Sequence, residues 1–256
     1  MGSTCEWKLH THSSTVYLRS LPQLNILLNS LNPSNSSSLL RKRSMRCPVC
    51  FATLYPFICA VNYLAHLYLS GDNPALRLGN FIADHLKNRP ISYYSADIQR
   101  GIRLHHAIDR YTDQHPVVAQ SKARLQPDFR KYAPVIVDVF YDHFLAKDWL
   151  LYHPQPLPDY AAAIYEEMKS RHELLPTRAQ EMLPFMERYD WLTNYARMEG
   201  IRRVMTGMSR RARFESGMER APDALEEHIT AFGAEFDTFF PDLQQFVADF
   251  IEQNPE

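Results

Sequence analysis

From Val61 onward, apolar residues recur at three- and four-residue spacing in stretches punctuated by proline, the period of helices with one buried face. Leu76, Leu78, Phe81, Ile82 and Leu86 follow Asp72-Asn73-Pro74, a capping residue with proline at the first helical position, and Pro90 closes that stretch. Ile98, Ile102, Leu104, Ile108 and Tyr111 form a second stripe that Pro116 ends. Pro134 opens another, carrying Ile136, Val139, Phe140, Phe144 and Leu145. Further helices are expected over 158–172, 176–188 and 191–208, and a long one from 223 toward 250 with Pro241 as its point of interruption. There is no alternating β-branched run, no Asn-Gly hairpin turn and no repeat of fixed period. Prolines are expected between helices rather than inside them. The fold class is all-α, a single compact multi-helix bundle.

Composition supports one globular body and divides the chain. Hydrophobic residues make up 45% and charged residues 22% of 256, with only eight glycines, which excludes collagen-like, linker-like and wholly disordered chains. A net charge of −1 gives no reason to expect nucleic acid as a partner. Residues 1–60, however, hold six basic residues against one acidic, ten of the 17 serines and all four cysteines, whereas 61–256 hold 22 basic and 28 acidic. The early segment suits a transit peptide by composition, but Asn32 to Ser38 is too polar for an amphipathic helix. Cys50 to Leu69 has the length of a membrane span but contains Pro56, Asn62 and His66. Cys47-Pro-Val-Cys50 is half a zinc-ribbon spacing with no second pair, and reads as incidental. The favoured expectation is a disordered extension outside the working protein, translated upstream of a GUG start at Val61, with one helical domain over 61–256.

Within the helical stripes, acids and imidazoles occupy places where apolar residues belong. His105 and Asp109 are four apart on one face, and Asp113 extends that face. Asp138 and Asp142 repeat the spacing with His143 following, while His66 lies four after Asn62 and Asp84 four after Asn80. Any single pair is more readily a solvated or capping residue than a site. Together, and with Asp138 set in Val135-Ile-Val-Asp-Val-Phe140, they are costly to bury without a cation or donor network. Carboxylates and imidazoles converging from separate helices are how bundles hold metals. An oxygen and nitrogen donor set without thiolate favours Mn²⁺, Mg²⁺ or Fe over structural zinc.

Asn62-Tyr-Leu-Ala-His66-Leu, Gly79-Asn80-Phe-Ile-Ala-Asp84, Gly101-Ile-Arg-Leu-His105-His-Ala-Ile-Asp109-Arg-Tyr-Thr-Asp113, Asp138-Val-Phe-Tyr-Asp142-His143-Phe-Leu and Gly207-Met-Ser-Arg210-Arg211 resemble, in order and gaps, the acyl carrier protein phosphodiesterase family. The resemblance spans nearly all of 61–250, and the family's initiator methionine falls on Val61. It implies a cytoplasmic, Mn²⁺-dependent hydrolase that removes 4′-phosphopantetheine from holo-acyl carrier protein, related to the all-helical HD phosphohydrolases. The chain lacks a plain His-Asp doublet and has Asp84-His85 and Asp142-His143 instead.

On that resemblance His66, Asp84, His105, Asp109 and Asp138 are assigned to the metal shell, with Asp84, His105 and Asp109 carrying the chemistry. Asn62, Asn80, Asp113, Asp142 and His143 are expected to orient them. His106 points about 100° away from His105 and is assigned to the surface. An acidic carrier-protein substrate calls for a local basic surface. Residues 197–220 carry seven arginines, of which Arg202, Arg203, Arg210, Arg211 and Arg213 are the docking candidates, a solvated helical face being the plainer reading. Two other functions use the same features: a metal phosphohydrolase acting on a nucleotide or other small phosphodiester, and a non-catalytic helical module that binds an acidic protein.

Overall fold

The computed structural model describes residues 62–86 and 90–255, so every expectation placed on residues 1–60, including the Cys47–Cys50 pair, lies outside the described residues. The described chain is all-α: α1 (Tyr63–Leu69), α2 (Pro74–Ile82), α3 (Ala96–Gln114), α4 (Pro116–Phe129), α5 (Ala133–Lys147), α6 (Leu157–Ser170), α7 (Thr177–Arg188), α8 (Trp191–Asn194), α9 (Met198–Ser209), α10 (Ala221–Glu227) and α11 (Ile229–Gln253), with short 3-10 turns between several of them. No strand occurs among the described residues. No helix among them is long and apolar enough to cross a membrane.

Helix α5 is the axis of the fold. Ten of its residues from Ile136 to Ala146 are buried, and a helix buried on all sides must be wrapped by others. Helix α11 covers one side with an aromatic row: Phe232 meets Phe140 edge-on at 5.1 Å, and Phe236 meets Tyr141 at 5.6 Å and Phe144 at 5.8 Å. Helix α1 covers another, and its start is fixed from a distance. The Asp142 carboxylate on α5 accepts from the amides of Leu64 at 3.0 Å and Ala65 at 2.9 Å, satisfying donors that an N-terminus leaves free.

Helices α2 and α3 cross at backbone contact through a glycine pair. A Cβ at Gly79 would lie 2.1 Å from the Ile98 carbonyl oxygen, and one at Gly101 would lie 2.1 Å from that of Leu76. Only hydrogen at both positions lets the helices approach this closely. Asn80 follows the first glycine directly, and His105 lies one turn beyond the second, so the crossing sets the two side chains against each other.

Helix ends depart from the expected ones at several prolines. Asn73 caps α2 as expected, accepting from the amides of Ala75 and Leu76 at 3.0 Å. The helix then ends at Ile82, and Ala83–His85 form a 3-10 turn, so Asp84 sits on a turn rather than in a helix. Pro116 ends α3 but also begins α4, whose first amide, that of Val117, is accepted by His115 Nδ1 at 3.3 Å. That helix was not anticipated. Prolines do lie inside helices: Pro127 in α4, Pro184 in α7 and Pro241 in α11, which runs through the expected interruption. Packing of an apolar face outweighs one lost amide bond at each. The expected 191–208 helix is two pieces, α8 and α9, and the expected 223–250 helix breaks instead at His228.

Candidate metal centre

Two helices and one turn bring the inner donors together. His66 comes from α1, His105 and Asp109 from α3, and Asp84 from the turn after α2. The His66 and His105 rings stack with centroids 4.3 Å apart and planes 28° apart. Asp109 reaches both: Oδ1 lies 3.3 Å from His66 Nε2 and Oδ2 lies 3.2 Å from His105 Nε2. His105 Nε2 is also 3.2 Å from Asp84 Oδ1. One donor atom from each of His66, His105 and Asp109 falls within 4.8 Å of the others, close enough to share one ion. The imidazoles are buried, whereas Asp84 and Asp109 keep 45% and 42% of their side-chain exposure. The centre is therefore walled by nitrogen on the protein side and opens to solvent through its carboxylates.

Asn80 orients both rings by their Nδ1 atoms. Its Nδ2 donates to the His66 carbonyl and to Ser70 Oγ, each at 2.9 Å, which fixes the amide so that Oδ1 faces the imidazoles. Oδ1 then accepts from His66 Nδ1 at 2.7 Å and from His105 Nδ1 at 3.1 Å. With protons on both Nδ1 atoms, each Nε2 either carries a second proton or offers its lone pair to a cation. His66 Nε2 is buried, and the polar group it faces is the Asp109 carboxylate at 3.3 Å. Two Nε2 atoms facing carboxylate oxygens call for positive charge between them, whether a proton or a cation, and the donor set fits a divalent ion.

The carboxylates respond to the same field. The hydrogen bond from His105 holds Asp84 below its ordinary value against the opposing effect of burial. Burial acts to raise Asp109, but the hydrogen bond and charge of His66, with the charge of His105, outweigh it and leave that group lowered as well. Asp138 on α5 lies in the same field without direct contact to the triad: burial, and then the charge of Asp109, push it up to about 7. A cation among His66, His105 and Asp109 would offset both influences.

The remaining expected residues separate by their contacts. Asn80 is at the centre. Asp142 and His143 face away from it: Asp142 caps α1, and His143 Nδ1 donates to the Tyr195 carbonyl at 2.8 Å. Burial pushes Asp142 well above the usual carboxylate range, with the Ala65 and Leu64 amides pulling the other way. Asn62 stands at the N-terminus of α1 and its side chain makes no capping bond. Asp113 is exposed and paired with Lys122 Nζ at 2.7 Å. His106 is exposed, as expected. Ser70 was not anticipated: it donates to the His66 carbonyl at 2.8 Å and accepts from Asn80, and its place four residues after His66 was the available signal.

The arginine segment is only partly available to a partner. Arg202 is tied to Asp223 at 2.7 Å and Glu226 at 2.8 Å, and Arg203 to Glu199 at 3.3 Å. Arg210 and Arg213 are exposed and Arg211 is half-buried.

The family model for acyl carrier protein phosphodiesterase matches residues 61–243. An acyl carrier protein phosphodiesterase of Photorhabdus laumondii is 33% identical over 186 residues, covering 72% of this chain and 94% of that protein. One from Enterobacter sp. strain 638 is 33% identical over 183 residues, covering 71% and 94%, and one from Yersinia pestis is 30% identical over 186 residues, covering 72% and 96%. No solved structure matches the chain. With the quoted motifs all inside the matched span, and its length nearly that of the relatives, this chain belongs to the acyl carrier protein phosphodiesterase family.

Proposed function

We propose that the chain hydrolyses the phosphodiester joining 4′-phosphopantetheine to a serine of holo-acyl carrier protein, releasing the apo-protein. Family membership supports the reaction, and the observation that carries the chemistry is the pair of Nε2 atoms directed at two solvent-facing carboxylates. His66, His105 and Asp109 would hold the ion, with Asp84 beside them. A divalent ion bound there supplies Lewis acidity, making water a stronger acid and offsetting charge on the phosphoryl oxygens. Mn²⁺ is our choice from the mixed nitrogen and oxygen donors, with Mg²⁺ and Fe as the competitors.

The chain's own residues do the positioning. Asn80 keeps the Nδ1 protons in place so that both Nε2 atoms face the opening. Asp84 and Asp109, held ionised and partly exposed, can accept a proton from water entering on the solvent side. Residues 61–256 are the working domain in this reading, a cytoplasmic enzyme, and residues 1–60 take no part.

The test is product analysis. Incubation of the full chain and Mn²⁺ with holo-carrier protein should yield apo-carrier protein with an intact serine and free 4′-phosphopantetheine. Equal or faster hydrolysis of cyclic nucleotides or other small phosphodiesters, with holo-carrier protein untouched, would replace this reading with a small-substrate phosphohydrolase.

A further inference from the structure

A second surface stands out where the α4–α5 turn meets the segment after α9. Asp128, Arg130, Lys131, Tyr132, Phe214 and Arg220 line a groove of about 610 Å³. Phe214 is 58% exposed at its mouth, an unusual position for a large apolar ring. Cations flank it: Lys131 Nζ lies 4.2 Å from the ring centroid, and the Arg213 guanidinium lies 5.5 Å from it on the same segment. The Tyr132 hydroxyl donates to the Phe214 carbonyl at 3.3 Å and ties the two sides together. Arg130 holds a φ of 50°, a strained value for a residue with a side chain.

The charges here differ from those on α9. Arg202 and Arg203 are matched by acids, but Arg130, Lys131, Arg213 and Arg220 form no ion pair with any described residue. Of the lining residues, Arg130, Lys131 and Arg220 stand against Asp128 and Glu215, and outside the lining Arg213 beside Phe214 is offset by Glu219 beside Arg220, so the groove keeps a small positive balance. An exposed aromatic ringed by unmatched cations is the composition of a protein interface rather than of a solvated face.

Its position suits the reaction. The bond to be cut begins at a serine oxygen of the protein substrate, so that protein's surface must lie close beside the metal centre. Lys131 precedes Asp138 by seven residues on the path into α5, on the order of 10 Å along a helix axis. Lys147, nine residues past Asp138 at the other end of α5, lies on the order of 14 Å from it along the axis and does not line the groove.

We infer that this groove, with Phe214 as its apolar anchor and Lys131, Arg130, Arg213 and Arg220 as its charges, is where an acidic surface of the carrier-protein substrate docks, an assignment that rests on the proposed function. Carboxylates on the partner meet the cations, and an apolar side chain among them meets Phe214.

The experiment measures binding and turnover separately, on the full chain. Fluorescence anisotropy with labelled apo-carrier protein gives the affinity, and holo-carrier protein with Mn²⁺ gives the rate. Lys131→Glu combined with Arg213→Glu should weaken binding at least tenfold and raise KM alike, with kcat within twofold. Phe214→Ser should weaken binding severalfold, and Lys147→Glu should leave it unchanged. Circular dichroism of each variant checks folding, and all of these side chains except the ring of Phe214 are exposed charges. Equal affinity in the wild type and the double reversal overturns the assignment, as does equal weakening by Lys147→Glu or no wild-type binding. Self-association of the chain that the same reversals dissolve, without an effect on carrier binding, also overturns it. Groove-dependent binding without hydrolysis would sustain the docking surface and refute the proposed reaction instead.

Discussion

Asn80 Oδ1 accepts from His66 Nδ1 at 2.7 Å while Asn80 Nδ2 donates back to the His66 carbonyl at 2.9 Å, so one side chain grips both ends of the same residue. The same oxygen also serves His105 at 3.1 Å. One amide therefore determines where two ligand lone pairs point, and partners of this kind tune affinity at metal sites.

Asn80→Ala should lower Mn²⁺ affinity about 10–100-fold, the usual effect of losing an outer partner. It should also destabilise the fold by about 1–3 kcal/mol, because buried groups lose their partners. Isothermal titration with Mn²⁺ and urea unfolding measure the two effects. Unchanged Mn²⁺ affinity would mean that the imidazoles keep their tautomers without Asn80.

Asp84→Ala and His105→Ala should abolish turnover of holo-carrier protein while leaving helical circular dichroism largely intact. Asp84 edges the open side of the centre, and His105, though buried, lines the centre with its polar edge rather than filling the apolar core. A variant with wild-type rate would remove that residue from the site, and a variant that unfolds would show its role to be structural.

Gly101→Ala tests the crossing that sets Asn80 against His105. The added Cβ would meet the Leu76 carbonyl oxygen at 2.1 Å, a backbone atom with no rotamer to change. The helices must part, at a cost of roughly 3 kcal/mol by comparison with overpacked cores. Urea unfolding should register that loss, with weakened Mn²⁺ binding alongside. Full stability and affinity in the variant would mean that the contact tolerates a methyl group.

His85 sets a pH dependence of stability. Burial lowers its pKa from 6.5 to about 4, with the Asp84 charge opposing. The fold thus prefers neutral His85, and the unfolded chain takes up a proton first as pH falls. Its contribution is intact above pH 6.5 and is lost progressively as pH falls toward 4, up to about 3 kcal/mol. Urea midpoints for wild type and His85→Gln across pH 4–7 should converge at the acid end. Parallel curves would assign the acid sensitivity to other groups.

Elements that depend on local pattern are legible in the sequence. Helix class follows from the three- and four-residue spacing, and His105 with Asp109 share a face because both lie on one helix. Relations across elements were not legible. Asp142 repeats the spacing of the centre's acids, yet its carboxylate turns to the amides of α1, which only the packing of α1 on α5 decides. Asn80 could be placed near the site by spacing, but its double acceptance requires the α2–α3 crossing. Pro116 reads equally as the end of one helix and the first residue of the next, and His115 resolves it by capping α4. Pro241 sits in α11 among phenylalanines whose burial holds the helix on both sides of it.

The central claim, that the His66–His105–Asp109 centre works through a divalent ion on holo-carrier protein, is tested most directly by metal-controlled turnover. The full chain, stripped with chelator and dialysed, is mixed with holo-carrier protein, and apo-carrier protein is followed by mass spectrometry as Mn²⁺ is added. The account predicts no apo-protein before addition, formation that saturates with Mn²⁺, and no restoration in His66→Ala or His105→Ala. Full-rate formation by the stripped chain, or restoration in both histidine variants, would contradict it.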